Sequence, residues 1–317
     1  PARSQGVRAL FFGTPAIAVP SLEALASIAD VVGVVCQPDR PAGRGLELKA
    51  PPVKVKAREL GVPVVQPEKI RTPEFAAWVR DADVDVALVI AYGRILPKAV
   101  LEAPRRGCMN LHASILPRYR GAAPITWAIV GGEAETGVSL MQMDEGMDTG
   151  PFYAVHRIPI GPDTTADELA IELGALAARV VRDDLRRAVD GELTLTPQDH
   201  AAATHAPLLK KEDGRIRWDR SARQIHDHIR GMTSWPGALT TVEGKALKVL
   251  AARIESEAAH GEAPPGTVVM ASRNVVIVAC GAGAIQLLRA QAEGRKPLAA
   301  ADLVAGRTLQ TGMVLGT

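Results

Sequence analysis

An open, doubly wound and mostly parallel α/β sheet followed by a small β-barrel is the fold the sequence predicts. Three observations carry this. Short Val-rich runs alternate with helix-like segments over residues 7–160, and one long helical stretch, 164–191, closes that region. Beyond residue 209 the turn signals "EDG", "WPG", "VEGK", "PPG" and "GAG" crowd together and the runs between them alternate as antiparallel strands do. At 317 residues, with 47% hydrophobic and 23% charged content, the chain is sized for two globular domains. The expected boundaries are 1–191, a weakly patterned linker over 192–209, and 210–317.

The elements follow in order. "VRALFFGT" (7–14), "DVVGVVCQ" (30–37), "VPVVQ" (62–66), "DVALVIAYG" (85–93) and "GCMNLHAS" (107–114) are too short and too β-branched for lone helices, and predict buried strands. "AVPSLEALASIA", "PVKVKARELG" and "PEFAAWVRDA" lie between them with helical apolar spacing and Pro or Gly at their edges. Strand, helix, strand in repetition predicts a parallel sheet covered on both faces. "TGVSLMQM" (136–143) and "FYAVHRIPI" (152–160) predict two more strands. In the second region "ALTTVEGKALKVLAARI", "GTVVMASRNVVIVAC" and "AIQLLRA" predict antiparallel strands, joined to one helix, "SARQIHDHIRGM".

Composition excludes several classes. Cys36, Cys108 and Cys280 are far apart, odd in number and without C-x-x-C spacing, which argues against a disulfide framework and a zinc site and for a reducing cytoplasm. His226 and His228, two apart on a helix, point to different faces, so no metal is expected. No apolar run approaches the ~18 residues of a membrane span, and "PARSQG" has no leader-like apolar core. "FFGTPA" after the first strand is not G-x-G-x-x-G, and no G-x-x-x-x-G-K-[ST] occurs. Aromatic content of 3% makes base stacking on many exposed rings an unsuitable strategy.

In open α/β sheets ligands sit outside the carboxyl ends of the strands. Asn110 and His112 stand two apart at such an end, so their side chains share one face. An amide donor beside an imidazole suits a tetrahedral oxyanion and a proton transfer. The residue types alone equally allow a capped strand end with a satisfied histidine. Asp144, Glu145 and Asp148, in the glycine-flanked loop "DEGMDTGP", fall on the same rim, where a carboxylate could orient the imidazole. Pattern does not choose among the three, and ordinary turn chemistry also favours Asp and Gly.

The segment after the second strand is unusually long. From Arg40 to Arg58 it carries Arg40, Arg44, Lys49, Lys54, Lys56 and Arg58 against Glu47 alone, with Gly43 and Gly45 between prolines. A basic, flexible arm over 38–58 at a ligand rim suggests a polyanion, although a solvated loop would look similar. Residues 191–317 hold 15 basic and 12 acidic groups, and Lys210, Lys211, Arg215 and Arg217 at the barrel's entrance are candidate phosphate contacts.

"NLHASILPRYRGAAPI", "MDEGMDTGP", "TPAIAVPSLEAL", "QPDRPAGRG" and "LVIAYGRILPKAVLE", with "KEDGRIRWDRSA" and "SWPGA" downstream, closely resemble the methionyl-tRNA formyltransferase family over nearly the whole chain. The N-x-H followed by S-[LI]-L-P-x-Y-R-G is shared by the wider formyltetrahydrofolate-using group; the arm and barrel narrow the resemblance. It implies a Rossmann-like formyltransferase domain followed by an OB-like barrel that contacts tRNA. It implies Asn110, His112 and Asp148 as the catalytic trio, with Asn110 and protonated His112 on the oxyanion and Asp148 fixing the imidazole. It implies Ser114, Ile115, Leu116 and Pro117 as the folate signature, with Ile90, Tyr92, Gly93 and Ile95 along the pterin wall. Arg44, with Arg40 and Lys49, would engage the acceptor end of initiator tRNA, with Lys210 and Lys211 as further contacts. Ile115 and Ala113 depart from the commoner Leu and Gly. The implied cosubstrate is 10-formyltetrahydrofolate, and the implied partner is initiator methionyl-tRNA, met by a cytoplasmic monomer. The alternatives are formyl transfer to an amino sugar or to glycinamide ribonucleotide, and a tRNA-binding module without catalysis.

Overall fold

The computed structural model describes residues 6–42, 47–257 and 263–316. Seven strands form the first sheet: β1 (Val7–Gly13), β2 (Ala29–Val35), β3 (Val64–Val65), β4 (Val86–Ile90), β5 (Cys108–His112), β6 (Glu135–Gln142) and β7 (Phe152–Pro159). Their order is β7-β6-β5-β4-β1-β2-β3. β1 runs parallel to β2 and β4, and β4 to β5, whereas β6 is antiparallel to β5. The chain turns one way from β1 to β2 and the other way at β4, so the crevice lies between the carboxyl ends of β1 and β4. The register pairs Gly13 with Ile90 there.

Helices α1 (Val19–Ile28), α2 (Pro52–Glu59) and α3 (Pro73–Asp81) link the early strands. Each has a proline in its first turn, where a missing N–H costs nothing. Thr72 caps α3 by accepting from Phe75 N at 3.2 Å. Phe12 packs edge-on against Tyr92 (5.4 Å) and Phe75 (6.4 Å) between sheet and helix. The expected helix over 164–191 is present but interrupted: Ala166–Val180 leads into a π-turn at Val181–Leu185 and on to Arg186–Asp190, ending at Gly191 in the left-handed region. The extra residue accompanies a buried Asp184, whose carboxylate lies 2.6 Å from His156 Nε2.

The chain divides into two compact units, and the division differs from the expected boundaries. The first comprises Pro1–Pro124, Glu135–Ile158 and Ala170–Pro207; the second comprises Ile125–Ala134, Pro159–Leu169 and Leu208–Thr317. The second unit therefore draws on three chain segments. Trp127 and Val130 pack on its core, and Arg230 Nη1 donates to Thr164 O at 2.8 Å. Gly231 permits this approach, since a Cβ there would lie 2.7 Å from Val130 Cγ2. Residues 192–207, expected as a linker, belong to the first unit.

The second unit's main strands are β8 (Ala238–Val242), β9 (Lys245–Ser256), β10 (Val268–Ala271), β11 (Val276–Ala279) and β12 (Ala284–Ala292), in the order β8-β9-β12-β11-β10, with the short strand Leu298–Ala299 also paired to β12. All neighbours are antiparallel. Glu243 and Gly244, with φ of 48° and 74°, form the two-residue turn between β8 and β9 that "VEGK" suggested. No ladder joins β8 to β10 among the described residues. The C-terminal tail fills that gap: Val268 N donates to Met313 O, Leu315 N to Gly266 O (both 2.8 Å), and Gly316 N to Thr241 O (2.9 Å). The expected barrel is thus an antiparallel sheet whose outer strands are bridged by the segment carrying Met313, Leu315 and Gly316. One helix, Ala222–Gly231, starts at a Ser221–Gln224 capping box and carries the buried Ile225 and Ile229.

Candidate active site

Strand β5 delivers Asn110 and His112 to the rim on one face, 9% and 6% exposed. The loop after β6 brings Asp148 between them. Asn110 Nδ2 donates a long bond to Asp148 Oδ1 (3.4 Å), and His112 Nδ1 lies 3.5 Å from Asp148 Oδ2. The loop's other acids serve elsewhere. Asp144 accepts from Gly146 N (3.0 Å) and Thr149 Oγ1 (2.7 Å), and Glu145 pairs with Lys98 at 3.4 Å. The structure therefore separates three carboxylates that pattern could not.

Backbone groups of Tyr119 and Gly121 hold His112 and Asp148 in place. His112 Nε2 lies 2.8 Å from the carbonyl of Tyr119. A carbonyl only accepts, so Nε2 carries the hydrogen and Nδ1 faces Asp148. Gly121 N donates to Asp148 Oδ2 at 2.8 Å. Gly121 must be glycine twice over: its φ is 118°, and a Cβ would lie 2.6 Å from Ala206 O. Tyr119 and Asp148 also occupy the left-handed region, at φ 58° and 54°. Such conformations are sparsely populated for non-glycine residues and persist where neighbours over-determine them.

Those neighbours come from residues 198–206, which sequence reasoning missed. Gln198 Nε2 donates to Asp148 O (2.9 Å) and Gly150 O (2.6 Å), while its Oε1 accepts from Arg120 Nε (3.1 Å) and Nη2 (2.7 Å). Arg120 Nη2 also approaches His200 Nδ1 at 3.1 Å. Tyr119 N donates to Thr204 Oγ1 and Arg120 N to Thr204 O, each at 2.9 Å. Arg120 and Gln198 are both 5% exposed, so this is a buried network around a guanidinium. These bonds join residues 48 to 85 positions apart in the chain and carry no periodic signal.

The folate signature divides. Ser114 and Leu116 are buried inside the turn rather than set on its surface. Ser114 Oγ donates to Arg118 O (2.6 Å), and Ser139 Oγ donates to Ser114 O (2.7 Å) while accepting from Leu116 N (3.1 Å). Ile115 and Pro117 are half-buried. Beyond β4, Ala91, Gly93 and Ile95 form an exposed strip over buried Ile90, Tyr92 and Leu96. Thr14 Oγ1 (3.2 Å) and Gln37 Nε2 (3.1 Å) both donate to Tyr92 O and tie the strip to β1 and β2. Among the described residues nothing accepts from the N–H of Gly93 or Ile95, and the buried Gln37 Oε1 has no partner. An apolar strip edged by open donors and an acceptor fits a flat heterocycle with polar edges. Burial pushes the Tyr92 phenol to about 12 and the Cys36 thiol to about 11, so neither offers an anion here.

The basic arm is shorter in charge than it looked. Arg40–Ala42 and Glu47–Lys49 form an antiparallel ladder that sets Arg40 opposite Lys49, with both residues exposed. Arg44 lies outside the described residues. Lys54 pairs with Asp39 (2.7 Å) and Lys56 with Glu23 (2.9 Å) and Glu59 (2.6 Å), so these two cations brace α2. Asp39 is held below the usual carboxylate range by Gln66 and then by Lys54. Lys210 and Lys211 are exposed on the second unit. Among the described residues no group of three His, Cys, Asp or Glu side chains could hold a metal, and no helix is long and apolar enough to cross a membrane.

The formyl transferase family profile matches residues 8–181, and the profile of the formyl transferase C-terminal domain matches 208–308. A methionyl-tRNA formyltransferase of Sorangium cellulosum is 89% identical over 310 residues, covering 98% of this chain and 100% of that protein. The chain belongs to the methionyl-tRNA formyltransferase family. The family's Myxococcus xanthus enzyme is 48% identical, with 96% of each chain covered. Among solved structures, the sugar 3N-formyl transferase WlaRD has TM-score 0.67 at 18% identity, covering 92% of this chain and 100% of its own. HypX from Aquifex aeolicus, in complex with tetrahydrofolic acid, has TM-score 0.62 at 18% identity, with 95% of this chain and 47% of its own covered. At such identities the structural likeness speaks for the fold alone.

Proposed function

We propose that this chain transfers the formyl group of 10-formyltetrahydrofolate to the α-amine of methionyl initiator tRNA. The observation that carries the mechanism is the meeting of Asn110, His112 and Asp148 at one strand rim, with Asp148 pinned by Gly121 and Gln198. The amine nitrogen attacks the formyl carbon, negative charge collects on the formyl oxygen, the bond from carbon to N10 breaks, and N10 gains a proton as the amine loses one.

Asn110 is suited to the oxyanion. Its one intramolecular bond from Nδ2 is long, so the amide can turn to a developing negative charge with little loss. His112 suits the proton: Nε2 is engaged by Tyr119 O, and the free position Nδ1 faces a carboxylate that stabilises the charged ring. This geometry favours His112 as proton carrier over direct oxyanion donor. Ile90, Tyr92, Gly93, Ile95, Ile115 and Pro117 supply the folate seat, with Ser114 and Leu116 shaping it from beneath. Arg40, Arg44 and Lys49 on the arm and Lys210 and Lys211 on the second unit meet tRNA phosphates. The protein acts as a monomer in the cytoplasm.

The deciding experiment supplies formyl-labelled 10-formyltetrahydrofolate with methionyl initiator tRNA, glycinamide ribonucleotide or an amino-sugar nucleotide. Label is expected on the tRNA alone; label on either small acceptor at comparable kcat/KM overturns the proposal.

A further inference from the structure

Next to the exposed strip lies a groove of about 690 Å³, a volume in the range of small-molecule sites. Ile95 and Leu96 form its apolar side, Arg71 and Arg80 its basic side, and Lys98 with Glu145 its far edge. Ile95 belongs to the proposed pterin wall, so the groove adjoins the proposed folate seat at that residue. Lys98 is occupied by Glu145 (3.4 Å) and Glu102 (3.8 Å). Arg71 and Arg80 are exposed and make no ion pair among the described residues.

Two unpaired arginines over an apolar floor, opening from a folate seat, call for a ligand that is anionic and tethered to the folate. A folate ends in a glutamate, and chains of further γ-linked glutamates extend it by one carboxylate per unit. We propose that this groove binds the poly-γ-glutamyl tail of the formyl donor, with Arg71 and Arg80 pairing its carboxylates. The inference rests on the folate reading given above. Neither arginine approaches the reacting atoms; both act on donor affinity. Exposed pairs of this kind are individually weak and salt-sensitive, so the joint effect is on the order of tenfold at low salt.

The test measures the dissociation constants of 5-formyltetrahydrofolate, which does not donate, as the mono- and pentaglutamate by calorimetry. The wild-type protein is expected to bind the pentaglutamate about tenfold more tightly, with the gain fading in high salt. Arg71→Ala with Arg80→Ala, both at exposed positions, is expected to abolish the preference and leave monoglutamate affinity unchanged. Arg80→Glu is expected to reverse the preference. Equal binding of the two ligands by the wild type, or a preference that survives the double substitution, overturns the proposal. So does a double variant whose KM for methionyl-tRNA rises while its folate preference stands, because the groove would then be a tRNA contact. A wild type that discriminates between the folates yet formylates no tRNA would refute the acceptor assignment and leave the groove standing.

Discussion

The rim around His112 and the arm at Arg40 both lie in the first unit, yet they are built on opposite principles. At the rim Asp148 is tied through both its carboxylate and its backbone carbonyl, His112 is buried with Nε2 engaged, and two non-glycine residues are held at positive φ. On the arm, Arg40 and Lys49 are exposed, face each other as like charges, and Leu48 beside them is 72% exposed. The rim has spent its freedom before substrate arrives, as a site that must stabilise a transition state should. The arm keeps its charges open, as a surface that meets a phosphate backbone should.

That contrast can be broken in several ways, and the largest effect belongs to the rim. Asn110→Ala and His112→Ala should each lower kcat for tRNA formylation on the order of a hundred- to a thousand-fold, with KM for tRNA little changed. Steady-state kinetics on variants with native circular dichroism checks this, and a folded His112→Ala protein of near-normal turnover would remove the histidine from the chemistry. Gln198→Ala comes next. It strands the buried Arg120 and loosens the Asp148 loop, so it should cost about 1–3 kcal/mol of stability. It should also lower kcat at temperatures well below its melting transition; a change in Tm alone would make the network purely structural. On the arm, Arg40→Ala with Lys49→Ala should raise KM for tRNA, leave kcat nearly intact, and flatten the salt dependence of KM by about one unit of log–log slope per cation. An unchanged slope would detach the arm from the phosphates. The smallest effect concerns the arm's anchor. The Asp39 carboxyl is held below its ordinary value, so its contribution is present above that value of 3.8 and fades as pH falls through the lower, folded one. Limited proteolysis within 38–58 should therefore accelerate only in strong acid, and Asp39→Asn should show the faster cleavage already at neutral pH.

Much of this was legible in the sequence because the signals were local. Val-rich runs located the strands, prolines the helix starts, and "VEGK" a hairpin turn; the spacing of Asn110 and His112 put them on one face of β5. The clamp from 198 to 206 was not legible, because Gln198 and Thr204 act on backbone groups distant in sequence and lie in a stretch with no apolar period. The same holds for the tail, whose hydrogen bonds to Gly266, Val268 and Thr241 are tertiary choices. Charge counting overstated the arm, since Asp39, Glu23 and Glu59 lie outside or at the edge of the basic run and neutralise two of its lysines. Ser114 shows the converse: the family resemblance implied it as part of the folate signature, and the turn uses its hydroxyl internally.

The composition of the second unit limits how such a protein can be reassembled by gene fusion. A fragment beginning at Leu208 would carry every strand of that unit but neither Trp127 and Val130, which cover its core, nor Thr164, which accepts from the buried Arg230. Transplanted onto another catalytic domain, it would arrive with an uncovered apolar patch and with the Nη1 of Arg230 stripped of both its carbonyl acceptors, Asp227 alone holding the rest of the guanidinium. Its partner in any working chimaera would have to contribute equivalents of residues 125–134 and 159–169, so the two units inherit together or require compensation on both sides of the splice.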